Sequence, residues 1–311
     1  MVSDAAVTVP RWRRAAPMSP ALVAWLEATC GGRVATIRRM QGGIATPVHR
    51  VTLVGATGAR RAVVVRHWTG VDVAWDEVAT EARVLEALGP TPVPAPALLA
   101  VCDGTDTGGV PALVMARLPG RVDLAPADRA SWLHQMAGTL AEIHDVDVDV
   151  DEHRPRPPEG LTDPPPWGRN PRVWHAALEA VQGPPPETQG AFLHGDFQHF
   201  NLLWSRGRLT GVVDWAWPHR GAPSADVAHC LLNLTILFGA DVARRFRLDY
   251  ERASGRCVEP WWELRSLTRY GPGWQRFIPV QVAGQVPVDV EGMTGRVEDA
   301  MADALGRLDR G

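Results

Sequence analysis

Hydrophobic residues in the first third of the chain alternate with polar ones in short runs, the two-residue period of strands with one covered face. Val34–Met40, Val48–Val54 and Arg61–His67 are such runs, rich in valine, isoleucine and threonine. Residues 41–47 link the first two, and Gly55-Ala56-Thr57-Gly58 reads as a hairpin turn between the second and third. Ahead of them, residues 20–30 (PALVAWLEATC) predict a short helix. From Asp72 to Leu88 the period lengthens: Val78, Glu81, Ala82, Leu85 and Leu88 recur at three- and four-residue spacing and share one helical face. Glu81 is a carboxylate on an otherwise apolar stripe. Prolines 90, 92, 94 and 96 end that helix, and Leu98–Cys102 and Ala112–Met115 predict two more strands.

Beyond Arg117-Leu118-Pro119-Gly120, which reads as a connector, the helical period dominates. Leu133, Met136, Ala137, Leu140 and Ile143 mark an amphipathic helix. Residues 154–190 hold proline clusters around a short helical piece near Trp174, and helices are predicted over Asp226–Phe238, Ala240–Ser254 and Thr294–Leu308. The expected class is α+β, with a β-rich lobe over residues 1–117 carrying one main helix and a larger, mostly helical lobe over 118–311.

Composition changes this picture little. At 45% hydrophobic and 22% charged over 311 residues, the chain has ample material for a core, and a net charge of -3 gives no reason to expect nucleic acid as a partner. Cys30, Cys102, Cys230 and Cys257 are scattered, which suits a reducing cytoplasm and argues against a disulfide framework or zinc site. The N-terminus lacks the apolar run of a signal peptide, and no stretch is long and apolar enough to predict a membrane span. All 32 basic residues are arginine; the sequence contains no lysine.

The chemistry concentrates in Phe192-Leu193-His194-Gly195-Asp196-Phe197-Gln198-His199-Phe200-Asn201-Leu202-Leu203-Trp204, followed by Gly211-Val212-Val213-Asp214-Trp215. Short apolar strands flank a polar loop, so Asp196 and Asn201 are expected to project from a hairpin-like frame, with Asp214 at the end of the next strand. Phosphoryl transfer needs an acceptor hydroxyl held in line, a carboxylate to take its proton, and oxygen ligands for magnesium. Asp196 supplies the carboxylate, and Asn201 and Asp214 supply hard oxygen ligands.

His194-Gly195-Asp196 with Asn201, then Asp214-Trp215, resembles the signature of the aminoglycoside phosphotransferase and choline kinase-like family, and Gly221-x-Pro223-x-x-Asp226-x-Ala228 continues the resemblance. It spans roughly residues 33–240 and is strongest over 192–228. The resemblance implies a bilobal protein-kinase-like fold, ATP and Mg2+ as cofactors, and a hydroxyl of a small molecule as phosphate acceptor. It implies that Gly42 and Gly43 cover the ATP phosphates with backbone N–H groups. Val64 packs the adenine, and Arg66, on the same strand face, takes the position of the usual lysine. Glu81 anchors Arg66, and Met115, Ala116 and Leu118 belong to the hinge that reads the adenine edge. Arginine can hold phosphate or carboxylate bidentately, so the substitution keeps the role physically available. His194 is expected to brace the loop, and Asp226 to hold the loop or cap the following helix.

Other readings are weaker. Asp145-x-Asp147-x-Asp149-x-Asp151 lacks the glycine and glutamate of a calcium loop, and the histidines over 194–229 lack zinc-like spacing. A catalytically silent nucleotide-binding protein of the same fold is the competing reading, favoured by the missing lysine and opposed by the presence of Asp196, Asn201 and Asp214. For the acceptor, the resemblance admits antibiotics such as aminoglycosides, other sugar-bearing compounds and hydroxylated metabolites. Residues 227–290 carry no acidic excess for a polycation; their arginines, with Trp261, Trp262 and Trp274, fit either a stacking surface or core.

Overall fold

The computed structural model describes residues 17–40, 46–68, 75–152, 163–269, 271, 273–282 and 284–310. Gly42 and Gly43 lie outside them. The chain divides into two compact units, Met1–Glu86 with Pro96–Arg117, and Ala87–Ala95 with Leu118–Gly311.

The first unit opens with α1 (Pro20–Cys30), which starts where the Ser19 side chain accepts from the Leu22 N–H and Pro20 presets the first turn, and stops at Gly31 with φ 63°. Strands β1 (Arg33–Arg39), β2 (Val48–Val54) and β3 (Arg60–His67) follow, then α2 (Trp75–Leu88), β4 (Leu98–Cys102) and β5 (Ala112–Ala116). They form one antiparallel sheet of order β1-β2-β3-β5-β4. Val51, Leu53, Val63, Val65, Ala112 and Val114 pack with Leu22 and Leu26 of α1 in one core. Burying each of these valines and leucines contributes on the order of 2 kcal/mol. Strand alternation therefore turns Val64 and Arg66 to the other face, where register pairs Val64 with Met115 and Arg66 with Leu113.

His67 lies on the α1 side, fully buried, with its Nε2 3.1 Å from Nδ1 of His49. Burial, then the neighbouring His49, pushes the His67 pKa from 6.5 to about 4. The unfolded chain takes up a proton there near pH 6.5 while the folded one resists it until about 4. The contribution of His67 is therefore present in full above 6.5 and falls by about 3 kcal/mol as pH drops to 4. Urea unfolding across that window should record the loss, and a His67→Asn variant should make it shallower by that amount.

The second unit contains α3 (Arg129–Asp145), α4 (Pro171–Ala180), β6 (Ala191–Leu193), β7 (Leu202–Ser205), β8 (Arg208–Val212), β9 (His219–Gly221), α5 (Pro223–Phe238), α6 (Ala240–Ser254), α7 (Pro260–Leu267), α8 (Ile278–Val282) and α9 (Met293–Leu308). The sequence pattern does not predict α7 and α8. Helix α5 is apolar nearly all round and runs through the middle of the unit, as such a helix must. Trp174, Trp261, Trp262 and Trp274 join its core. The tryptophans of 261–274 are thus interior, and not a stacking surface. Three arginines of the preceding helix α6 are paired, Arg244 with Asp241, Arg245 with Asp249 and Arg247 with Glu251. No helix among the described residues is long and apolar enough to cross a membrane.

Candidate active site

The loop 194–201 does not sit in a hairpin, contrary to the sequence reading. Strand β6 pairs with β9, and β7 pairs with β8, so the loop bridges two separate ribbons. Its shape comes from Asp226 in the first turn of α5. One carboxylate oxygen accepts the His194 N–H at 2.7 Å and the other the Gly195 N–H at 2.9 Å. Gly195 has φ 82° and packs against the Trp217 carbonyl, where any Cβ would collide. Asp226 is almost fully buried, with His144 Nε2 at 3.5 Å. Burial raises its pKa, but the hydrogen bond and charge of His144, then His194 and His219, outweigh that and hold it below the ordinary value.

His194 has both ring nitrogens engaged. Its Nδ1 accepts the Asp196 N–H at 3.2 Å, so its Nε2 carries the proton and donates to the Val213 carbonyl at 3.1 Å. The ring therefore ties the loop to Val213, just beyond the end of β8. Val213 in turn donates its N–H to the Asn201 carbonyl at 2.9 Å. The residue that follows is Asp214, which lies two positions beyond β8 instead of ending it. Asp214 is exposed and left-handed, with φ 67°, a conformation that aspartate tolerates better than most residues. Trp215, buried against Phe192 and bonded through Nε1 to the Val212 carbonyl, pins the backbone there. Asp196, Asn201 and Asp214 thus belong to one hydrogen-bonded set of loops.

The Asp196 carboxylate receives three side-chain donors. Oδ1 accepts from Gln198 Nε2 at 2.7 Å and His229 Nε2 at 2.8 Å, and Oδ2 accepts from Asn201 Nδ2 at 2.9 Å. Burial raises its pKa, but the hydrogen bond and charge of His229, followed by His194 and Asn201, hold the carboxyl below its usual range. Asn201 Nδ2 also donates to the Asp196 backbone carbonyl at 2.8 Å. Reversing that amide would set oxygen against two oxygens, so its Oδ1 is the atom turned to other partners. That is the oxygen a magnesium ion requires, and it suits a site completed by one carboxylate and substrate phosphates. Among the described residues there is no cluster of three or more His, Cys, Asp or Glu that could hold a metal. His199, beside Asn201, is fully buried against Phe200, Phe238 and Trp132. Burial, then the charge of His229, pushes its pKa to about 3, so it serves as a neutral aromatic wedge.

In the first unit the structure brings Arg66 and Glu81 together. Arg66 Nη1 donates to both carboxylate oxygens at 3.1 Å, and its Nε donates to Thr46 Oγ1 at 2.7 Å. Both side chains are at least nine-tenths buried, and the Arg66 guanidinium also lies 5.2 Å from the Trp68 ring centre. Truncating one member of such a pair strands the other charge in a poorly solvated place. Glu81→Ala should therefore cost about 3 kcal/mol or more in urea unfolding, and Glu81→Gln clearly less. Met115 and Ala116 continue β5, and the Ala116 N–H is committed to the Ala97 carbonyl at 2.8 Å. Leu118 belongs to the second unit, where it packs against Gly211.

The sequence model of the phosphotransferase enzyme family matches residues 36–267. The chain belongs to this family. As a phosphotransferase family member it has the α+β, kinase-like fold of solved relatives. A Ralstonia eutropha JMP134 protein assigned to the aminoglycoside phosphotransferases is 20% identical, with TM-score 0.63 over 93% of this chain and 98% of that one. The aminoglycoside phosphotransferase APH(4)-Ia, in a thermostable form, is 17% identical with TM-score 0.59 over 92% and 98%. Amicoumacin kinase hAmiN, solved with AMP-PNP and Ca2+, is 12% identical with TM-score 0.58 over 92% and 94%. Among curated proteins, acyl-CoA dehydrogenase family member 10 of Mus musculus is 24% identical over 73% of this chain but 24% of its own length. Member 11 of Gallus gallus is 26% identical over 49% of this chain and 22% of its own length. The chain spans about a quarter of the length of the curated relatives it matches.

Sequence reasoning missed Gln198, His229 and Asn233. A signal was present: Asp226, His229 and Asn233 are spaced three and four apart on one predicted helix and share a face. Which face met the loop was not legible until Asp226 was seen to hold it.

Proposed function

We propose that the protein is an ATP- and magnesium-dependent kinase that transfers the γ-phosphate of ATP to a hydroxyl of a small molecule. The observation that carries this reading is the Asp196 carboxylate, fixed by three donors beside an Asn201 amide whose Nδ2 is committed to Asp196, which leaves its Oδ1 as the atom for a cation. Asp196 orients the acceptor hydroxyl and takes its proton as the oxygen attacks the γ-phosphorus. The bond to the bridging oxygen of ADP breaks on the opposite side. Asn201 Oδ1 and the Asp214 carboxylate are the groups that would hold magnesium, which when bound neutralises phosphate charge. Arg66, fixed by Glu81, takes the phosphate-holding role of a lysine. Val64 packs the adenine, Gly42 and Gly43 cover the phosphates, and Met115, Ala116 and Leu118 form the hinge. With the Ala116 N–H already engaged, adenine reading falls to backbone carbonyls and the Leu118 N–H.

Two acceptor classes are worth testing first. Solved structures of APH(4)-Ia hold ADP or AMP-PNP with hygromycin B, which suggests a sugar-bearing antibiotic. The names of the curated relatives suggest instead a hydroxylated acyl compound that a linked dehydrogenase acts on. Charge favours the second. Of Asp241, Glu259 and Glu263, the acids available in the helical region for a polycation, Asp241 and Glu263 are bound to Arg244 and Arg307.

The deciding experiment is incubation with ATP and magnesium across a panel of aminoglycosides, hydroxy acids and hydroxyacyl thioesters, with mass detection of added phosphate. Phosphate on an alcohol supports the kinase reading. ATP binding without transfer to any alcohol would assign the protein to the catalytically silent class.

A further inference from the structure

A carboxylate offers about four acceptor positions, two on each oxygen. In Asp196 both positions on Oδ1 are filled, by Gln198 at 2.7 Å and His229 at 2.8 Å. Asn201 fills one position on Oδ2 at 2.9 Å, and no other donor reaches Oδ2 among the described residues. We propose that His229 is a positioning residue for phosphoryl transfer: with Gln198 and Asn201 it locks the Asp196 carboxylate so that the acceptor oxygen can bind at a single place, the remaining lone pair of Oδ2. The proposal rests on the reading of Asp196 as the residue that orients the acceptor.

The tautomer is determined by the partners. Asp196 is acceptor-only, so His229 Nε2 must carry a hydrogen. Asn233 Nδ2 lies 3.3 Å from the same nitrogen, but its hydrogen bond goes to the His229 carbonyl at 2.9 Å. That bond ties the Asn233 side chain to the preceding turn and leaves the His229 hydrogen to Asp196. His229 stands on α5 one turn after Asp226, which grips the start of the same loop through the His194 and Gly195 N–H groups. One rigid helix therefore fixes both the path of the catalytic loop and the rotation of its carboxylate. Without the His229 donor, Oδ1 keeps only Gln198, a loop side chain, and the carboxylate can turn about χ2. The acceptor oxygen would then be misdirected by an ångström or so, an error that lowers rates by about 10-fold to 100-fold without touching nucleotide affinity.

The test uses the full chain with Mg·ATP and water as acceptor, read as phosphate release, so that it needs no knowledge of the alcohol. His229→Phe keeps the ring volume and removes the N–H; His229→Gln restores an N–H donor at similar reach. The expected result is a kcat for His229→Phe lowered about 10-fold or more, an unchanged KM for ATP, and recovery of most of that loss in His229→Gln. The thermal midpoint without nucleotide should be similar in the two variants. A wild-type kcat in His229→Phe, or a kcat in His229→Gln no better than in His229→Phe, would overturn the proposal. Asp196→Asn measured alongside separates the two levels. If it is inactive while His229→Phe is fully active, only the His229 role fails. If it hydrolyses ATP at the wild-type rate, the reading of Asp196 fails, and the His229 proposal with it.

Discussion

An Asp196→Asn variant should transfer phosphate about 10²-fold to 10⁴-fold more slowly than the natural protein while remaining folded, the usual contribution of a positioned general base. The structure indicates how the amide would sit. Gln198 and His229 both aim N–H groups at Oδ1, so the amide oxygen takes that place and the NH2 group falls where Oδ2 was. The acceptor hydroxyl then meets a donor where it needs an acceptor. Asn201 Nδ2 also loses its bond to Oδ2, although its bond to the Asp196 backbone carbonyl at 2.8 Å keeps the turn closed. Initial rates with the acceptor that takes up phosphate in the panel, beside a circular-dichroism spectrum, check both halves of the expectation. A folded variant retaining wild-type transfer would refute the role of Asp196.

Asp226→Ala should be the most damaging substitution outside the reacting groups. It removes the acceptor of two backbone N–H groups, the buried one of His194 and the part-buried one of Gly195, and the anion beside His144. Each orphaned donor costs about 1–3 kcal/mol, so the two together cost about 2–6 kcal/mol of stability. Activity should fall further than stability alone predicts. Gly195, held at φ 82° against the Trp217 carbonyl, is free to relax once its N–H is released, and Asp196 moves with it. Asp226→Asn keeps one accepting oxygen and should lose roughly half as much in the same denaturant titration. Because the native carboxyl is held below its ordinary pKa, its stabilising effect is present at neutral pH and fades as pH falls through the lowered value.

These two aspartates divide what the chain writes down plainly from what it conceals. The strands β1 to β5, α1, α3 and α6 follow from periodicity and from punctuation by glycine and proline, because those signals are local and act before any distant contact forms. The trio Asp196, Asn201 and Asp214 was also legible, since their types and spacing already satisfy phosphoryl-transfer chemistry. Arg66 and Glu81 could be matched because strand alternation and a helical stripe each pointed one of them inward.

Pairing between distant segments was not written locally. The ribbons β6 with β9 and β7 with β8 replaced the expected hairpin, since short apolar strands carry no information about which partner they find. Trp261, Trp262 and Trp274 looked equally suited to a ligand or to the core, and α7 with α9 buried them. His229 acquired its contact with Asp196 only because Asp226, one turn earlier, is drawn onto the loop and rotates α5 to face it. The sequence by itself determined most of the elements, the family and the three polar groups proposed for phosphoryl transfer, all of which depend on spacing along the chain. The tertiary structure decided how the carboxylate is aimed and which side chains aim it, because those depend on hydrogen bonds between residues about thirty positions apart.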